Sequence, residues 1–258
     1  MGWRKTFLDR YYYSLPNWRD GTTRFHEFIR NATCCEDTCL EIGAGPSNPT
    51  SHFLAGHFQN VDGIDIDPDV RNNSSLRQTH VYNGCAFPID DGGYDCAIAN
   101  YALEHVEKPE IFLAEILRIL KPGGCFVFRT PNQWHYVSIA ARLIPNRFHH
   151  SIASRARNMP ADAHEAYPTF HRMNARRQLR RLANRTGFAE VSLEVFEFEP
   201  SYMVFHPAAF WLGVLYERIV NRFGLLSGLR ANIFGVMRKP DVEACPEDAI
   251  AVRSKNAA

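Results

Sequence analysis

The 258-residue sequence lacks the features that mark secreted, membrane-spanning and zinc-binding proteins. No stretch reaches the roughly 18 apolar residues that a membrane-spanning helix needs, and the N-terminus has no apolar run typical of a signal peptide. The seven cysteines include no Cys-x-x-Cys pair, so a zinc site is not expected. We therefore expect a cytoplasmic protein with reduced thiols.

The sequence also lacks a net charge that would select a partner. Lysine and arginine together number 29 and the acidic residues 28, so no global field recruits nucleic acid or an anionic membrane. A hydrophobic fraction of 45% is ordinary for a soluble globular protein. The length suits one large α/β domain with insertions.

A glycine-rich turn follows a short apolar strand, and Glu41 stands two residues before the first of its glycines, Gly43 and Gly45. A second predicted strand ends in Asp65, 22 residues after Gly43. In doubly wound sheets such a turn lets backbone approach a nucleoside, and an acid about 20 residues later binds its ribose hydroxyls. This spacing favours a nucleoside cofactor.

Strands and helices alternate along most of the chain. We predict strands near 38–42, 61–66, 79–83, 94–99, 125–128, 191–198 and 231–237, and helices over 48–58, 109–120, 174–186 and 207–223. The early strands are apolar without alternation, which predicts a parallel sheet covered on both faces.

Four segments occur in an order and spacing that resemble the class I S-adenosylmethionine-dependent methyltransferases of the small-molecule type. They are Leu40–Gly45, Gly63–Asp67, Tyr94–Val106 and Leu120–Gly124. The resemblance implies a Rossmann-like seven-stranded, mostly parallel sheet with helices on both faces, an antiparallel last strand and a cap-like insertion. It also implies that S-adenosyl-L-methionine binds across the carboxyl ends of the first strands.

The resemblance divides the chain into five parts. An N-terminal helical segment (1–35) is a candidate lid, 36–130 is the cofactor-binding core, and 131–172 is a substrate-side insertion. Residues 173–240 complete the same domain, and the polar tail 241–258 is expected to be disordered.

Seven residues take cofactor-binding roles by resemblance: Glu41, Gly43, Gly45, Asp65, Ile66, Ala86 and Asn100. The glycines and Asn100 would surround the methionyl part, with Glu41 holding the turn or the amino group. Asp65 would bind the ribose hydroxyls, Ile66 the adenine face and the Ala86 backbone the adenine edge. Cys85 stands where the family often has an aspartate, so adenine recognition there must use backbone or water.

Histidine is the expected general base for a hydroxyl acceptor, and His105 and His135 are the candidates. His105 follows the fourth strand, and His135 is one of five histidines within 131–172. Either could instead be a surface or packing residue. Glu104 and His105 are adjacent and point apart on a helix, so no metal site is expected.

Two further patterns leave alternatives open. Ten arginines lie between 142 and 185, either as a solvated helix face or as a site for phosphate, carboxylate or RNA. The aromatic-rich helix 207–223 favours core packing, although peripheral contact with a membrane or a lipidic acceptor is an alternative.

The predicted function is methyl transfer from S-adenosyl-L-methionine to an oxygen of a small molecule, glycan or lipid-linked metabolite, which could be acidic or phosphorylated. An RNA methyltransferase and a non-catalytic binding module are the alternatives. A nucleic-acid acceptor is disfavoured because Asn100-Tyr101-Ala102-Leu103 lacks the Asn/Asp-Pro-Pro-aromatic motif of amino-directed DNA enzymes. The oligomeric state does not follow from the sequence.

Overall fold

Seven strands form one sheet in the computed structural model, which describes residues 2–35, 37–143 and 167–241. The strands are β1 (Thr38–Ile42), β2 (Asn60–Asp65), β3 (Thr79–Val81), β4 (Tyr94–Asn100), β5 (Leu120–Pro131), β6 (Glu190–Phe196) and β7 (Asn232–Arg238). Their order is β3-β2-β1-β4-β5-β7-β6, and only the pairings of β7 with β5 and β6 are antiparallel. The expected Rossmann-like seven-stranded sheet with an antiparallel last strand is confirmed.

Seven α-helices connect or flank the strands in the described part of the chain. They are α1 (Trp3–Leu8), α2 (Gly21–Ala32), α3 (Pro49–His57), α4 (Pro109–Ile119), α5 (Tyr136–Leu143), α6 (Arg176–Thr186) and α7 (Pro207–Arg222). Short 3-10 turns cover Pro68–Asn72, Leu103–His105, Ser201–Met203 and Gly224–Leu229, and a π turn covers Asp9–Tyr13. Asn48 caps α3 by accepting from the amides of Thr50 and Ser51, as its position before Pro49 predicts.

Alternate residues of the central strands pack on opposite faces of the sheet, because successive strand side chains point in opposite directions. One face packs against α2 and α3 and includes Cys39, Cys96, Ile98, Val127 and Phe234. The other packs against α4 and α6 and includes Leu40, Ala97, Phe126, Phe128 and Ile233. Both faces are therefore covered by helices, which explains why these strands are apolar at consecutive positions.

The first part of the N-terminal segment, residues 3–12, packs on α7. Tyr12 is buried against Phe210 and Val214, and its hydroxyl donates to Glu217 at 3.3 Å. Tyr11 lies with its ring centroid 4.8 Å from that of Trp211. The role of 1–35 as a lid stays a prediction, with these tyrosines contributing packing.

The predicted boundaries differ from the observed ones at a few ends. β5 begins at Leu120 instead of 125, because the backbone of the Lys121–Gly124 turn is paired with the residues after β7. The central part of the predicted cap-like insertion, 144–166, and the predicted disordered tail beyond Asp241 lie outside the described residues.

Because β7 lies close to β5, we expect a side chain at position 235 to destabilise the protein. A Cβ there would lie 2.2 Å from Phe128 Cζ and 2.8 Å from Leu193 Cδ2. Gly235→Ala should lower the free energy of unfolding in urea by about 1–3 kcal/mol. Gly56→Ala in α3, where a Cβ meets nothing within 4 Å, is the matched control and should raise it by up to about 1 kcal/mol. Equal effects of the two substitutions would contradict this packing.

Candidate active site at the carboxyl edge of the sheet

Hydrogen bonds join the turn after β1 to the end of β2. The Gly45 amide donates to Asp65 Oδ2 at 2.8 Å, and the Gly43 amide donates to the Ile64 carbonyl at 2.9 Å. Gly43 and Gly45 have φ of +71° and +52°, a region that favours glycine. A Cβ on Gly43 would also lie 2.8 Å from Ala102 Cβ. The turn thus requires glycine for both its conformation and its close packing.

A cavity of about 490 Å³ opens beside this turn. Its lining includes Gly43, Gly45, Asp65, Ile66, Tyr82, Gly84, Cys85, Tyr101, His105, Phe112 and Tyr167. Asp65 Oδ1 accepts from the Asp67 amide at 2.9 Å, so each carboxylate oxygen holds one backbone donor and keeps capacity for another. A carboxylate at one end and apolar or aromatic side chains along the walls fit a nucleoside.

A smaller hollow of about 260 Å³ lies on the other side of Gly43 and is also lined by Glu41, Thr50 and Asn100. Glu41 is buried and accepts from Ser51 Oγ at 2.7 Å. Burial raises the pKa of Glu41 to about 7. A positively charged ligand ammonium beside it would stabilise the charged carboxylate and lower that pKa. Asn100 donates to Thr50 Oγ1 at 2.9 Å. The hollow therefore suits the amino-acid end of the expected cofactor.

The structure brings six of the seven expected cofactor residues to these two spaces, and Ala86 is the exception. Ala86 is exposed and absent from both linings, whereas its neighbours Gly84 and Cys85 line the larger cavity. The Cys85 amide donates to Asn83 Oδ1 at 3.1 Å, so this loop is closed by a local turn. Contact with an adenine edge therefore fits Gly84 and Cys85 better than Ala86.

A second cavity of about 530 Å³ adjoins the first, and both are lined by Tyr101 and His105. Its other walls come from the start of α2 and from the residues that follow β4, β5 and β6. Four carboxylates line it: Asp20, Glu104, Glu197 and Glu199. Burial raises the pKa of Glu104 and raises that of Glu199 to about 7.

Arg129, near the end of β5, is buried and contributes its guanidinium to the lining of this second cavity. Its Nε donates to Asn100 Oδ1 at 2.7 Å, and its charge lies 4.3 Å from the Tyr101 ring centroid. Tyr101 has φ of +57°, a left-handed conformation, and its hydroxyl donates to Asn232 Oδ1 at 2.5 Å. The predicted strand near 125–128 ends just before Arg129, and a charge directly after an apolar run is the sequence signal that could have marked this residue.

The two candidate histidines both line the second cavity. His105 Nδ1 lies 3.0 Å from the Pro168 carbonyl oxygen, which can only accept, so Nδ1 carries the proton and Nε2 keeps a lone pair. His135 is buried, and its Nε2 is 3.5 Å from Glu197 Oε2 and has no hydrogen-bond partner among the described residues. His105 alone of the pair also lines the first cavity. The catalytic role of either residue stays a prediction.

The arginines of α6 lie away from these two cavities. None of the α6 arginines lines either cavity, and Arg177, Arg181 and Arg185 line a separate surface hollow together with Glu107 and Glu110. Within residues 2–35, 37–143 and 167–241, no three His, Cys, Asp or Glu side chains are grouped to hold a metal ion. In the same ranges no helix is long and apolar enough to cross a membrane.

Comparison with known proteins establishes the class. The sheet order and glycine turn are those of the class I S-adenosylmethionine-dependent methyltransferase fold, and a methyltransferase in complex with the Haloferax volcanii Trm112 activator shares it. That structure gives a TM-score of 0.54 at 18% identity and covers 94% of this chain and 95% of its own. Residues 13–193 match the methyltransferase domain family model. The chain therefore belongs to the methyltransferase domain family, whose class I members use S-adenosyl-L-methionine.

Two curated relatives match about a third of this chain. An uncharacterized methyltransferase of Mycobacterium ulcerans is 31% identical over 98 residues, covering 35% of this chain and 37% of the relative. Squalene methyltransferase 2 of Botryococcus braunii is 32% identical over 99 residues, covering 34% and 26%. The aligned part spans about a third of the length of these curated relatives.

The position of Asp65 predicts that its loss weakens cofactor binding. Asp65→Ala removes the carboxylate that faces the turn and its bond to the Gly45 amide. The dissociation constant for S-adenosylhomocysteine, measured by isothermal titration calorimetry, should rise about 10- to 100-fold. Asp69→Ala, at an exposed site outside both cavity linings, is the control and should leave it unchanged. Equal affinities of wild type and Asp65→Ala would show that Asp65 does not contribute to cofactor binding.

Proposed function

We propose that the protein transfers a methyl group from S-adenosyl-L-methionine to an oxygen of a small-molecule, glycan or lipid-linked acceptor held in the second cavity. One observation carries the proposal: the cavity that suits a nucleoside and the carboxylate-lined cavity share Tyr101 and His105. Residues that line both cavities show that the cavities adjoin, and a reaction between their occupants requires the reacting atoms to approach within about 3–3.5 Å. Membership of the methyltransferase domain family supports the same chemistry.

The cofactor would lie along the residues already described. Asp65 would hold the ribose, the Gly43–Gly45 turn would pack against the methionyl part, and Glu41 would face the ammonium. When bound, S-adenosyl-L-methionine supplies an electrophilic methyl group whose departing thioether needs no acid. The protein's remaining tasks are to orient the acceptor and to remove its proton.

His105 is suited to removing the proton of the acceptor. Its Nδ1 proton is bound to the Pro168 carbonyl, so Nε2 is the nitrogen that can take a hydroxyl proton as the acceptor oxygen gains the methyl group. The carbonyl also fixes the tautomer, because a protonated Nδ1 leaves the lone pair on Nε2. His135, held beside Glu197, lies deeper and suits a binding role within the same cavity.

A second candidate function is methylation of an amine, and the carboxylates of the cavity favour it. Four acidic side chains line the cavity against the one guanidinium of Arg129. This balance attracts a cationic or hydroxyl-rich acceptor and opposes an acidic or phosphorylated one. The described α6 arginines, which lie outside the cavity, give a phosphorylated acceptor no support here.

The proposal is tested by incubating the protein with methyl-labelled cofactor and pooled hydroxylated metabolites, sugars, amines and lipids. Product masses that rise by one methyl group identify the acceptor class, and the label then locates oxygen or nitrogen. Binding of S-adenosylhomocysteine without transfer to any pool would support the non-catalytic alternative.

Removal of the imidazole at position 105 should separate catalysis from cofactor binding. With a hydroxyl acceptor from that screen, His105→Ala should lower kcat about 100-fold or more while S-adenosylhomocysteine binds as before. His52→Gln, on the exposed side of α3, is the control and should retain activity. Full activity of His105→Ala would exclude this residue as the base.

The raised pKa of Glu199 distinguishes the two acceptor classes. Because this carboxyl loses its proton as pH rises through about 7, a cationic amine acceptor should bind more tightly above that pH and its KM should fall. Glu199→Gln should flatten this dependence, whereas the exposed Glu190→Gln should preserve it. If the KM of Glu199→Gln depends on pH as steeply as that of wild type, another group controls binding of the acceptor.

A further inference from the structure

Helix α7 is apolar on the side that contacts the protein and also on the side that faces away from it. Phe210, Val214 and Val220 are buried on the inner side. The outer side carries large apolar residues that are exposed, although a surface helix is normally polar there. We use the name α7 surface for the residues Trp211, Leu212, Leu215, Ile219, Phe223 and Leu225.

The α7 surface is strongly exposed in the described part of the chain. Leu212 is 64% exposed, Leu215 57% and Leu225 96%. Leu212, Leu215 and Ile219 are spaced three and four residues apart, which aligns them along one side of the helix. Phe223 and Leu225 continue the apolar residues past the helix end. Contiguous exposed side chains of this size mark an interaction surface.

The exposed charges of α7 are both positive, Arg218 and Arg222. Glu217, the one acid of the helix, is buried and accepts from Tyr12. Its Oε2 also lies 3.3 Å from Arg218 Nε, so Glu217 offsets part of the Arg218 charge. The neighbouring N-terminal segment, which reaches Trp211 through Tyr11, adds the exposed cations Lys5 and Arg10, against a half-buried Asp9.

We infer that the α7 surface docks on a lipid bilayer that carries anionic headgroups. Apolar and aromatic side chains flanked by lysine and arginine are the pattern of a helix lying in a bilayer interface. Basic side chains at that level gain further from the negative surface potential. A second copy of the chain fits less well, because a two-fold interface would bring Arg218 and Arg222 of both copies together.

The position of the surface also links it to the acceptor cavity. Three residues separate the 3-10 turn Ser201–Met203 from α7, and Ser201 and Tyr202 line that cavity. Met203 packs against Gly213 on the buried side of α7. A bilayer on the α7 surface would therefore lie across this one helix from a wall of the acceptor cavity. If the proposed function holds, this favours the lipid-linked class among its acceptors. The docking itself does not depend on that function.

The test is cosedimentation of the protein with vesicles of phosphatidylcholine alone and of an equal mixture with phosphatidylglycerol. Wild-type protein should bind the anionic vesicles and be released as salt is raised. Leu212→Ser/Leu215→Ser should weaken binding at least about tenfold. Arg218→Gln/Arg222→Gln should weaken it roughly 10- to 30-fold, and only for anionic vesicles.

Matched controls carry similar changes elsewhere: Ile111→Ser at an exposed position of α4, and Arg181→Gln on α6. Both should bind vesicles like wild type, and every variant should keep its affinity for S-adenosylhomocysteine as a check on folding. Absence of wild-type binding to anionic vesicles would overturn the inference. So would a dimer in light scattering that Leu212→Ser/Leu215→Ser dissociates, since the surface would then join two copies. Because sedimentation requires no turnover, its outcome is separate from that of the methyl-transfer assay.

Discussion

The hydrogen bond between the Gly45 amide and the Asp65 carboxylate joins the loops that follow β1 and β2. It holds the carboxylate at the mouth of the first cavity, with one lone pair of Oδ2 already used by the turn. Gly43 allows this arrangement, because its backbone packs against Ala102 at a distance that a side chain would not tolerate. Ala102 lies between Tyr101 and His105 in the loop after β4, and these two residues line both cavities. Both cavities therefore depend on one tight turn.

Arg129 connects the hollow beside Glu41 with the second cavity. A buried guanidinium is costly unless its donors are satisfied, and here its hydrogen bonds go to the neutral side chains of Asn100 and Thr22. Its charge also faces the rings of Tyr101 and Phe25. The same residue thus connects the hollow beside Glu41, through Asn100, with the carboxylate-lined cavity. A single cation placed among several acids leaves that cavity with a net preference for hydroxyl or ammonium groups.

Charge and hydrophobicity are distributed differently inside and outside the molecule. Acidic side chains concentrate within the second cavity, whereas the helix beside its wall presents exposed cations and large apolar side chains to the outside. An acceptor with a polar or cationic head and a lipid tail would be complementary to both regions. The near-zero net charge of the whole chain conceals this separation, because the two contributions cancel in the sum.

The sequence by itself determined the alternating elements, the parallel central strands, the glycine turn and the acid that faces it, since these depend on local periodicity and fixed spacing. The antiparallel β7 followed from family resemblance. Only the tertiary structure reveals the second cavity, because Asp20, Glu104, Arg129 and Glu199 are far apart in sequence and meet through the packing of separate loops. It also decided that Ala86 lies outside the first cavity and that Tyr101 adopts a left-handed conformation. Likewise the apolar outer side of α7, expected in the core, is exposed, because a helix that is apolar all round does not reveal from sequence which side is covered.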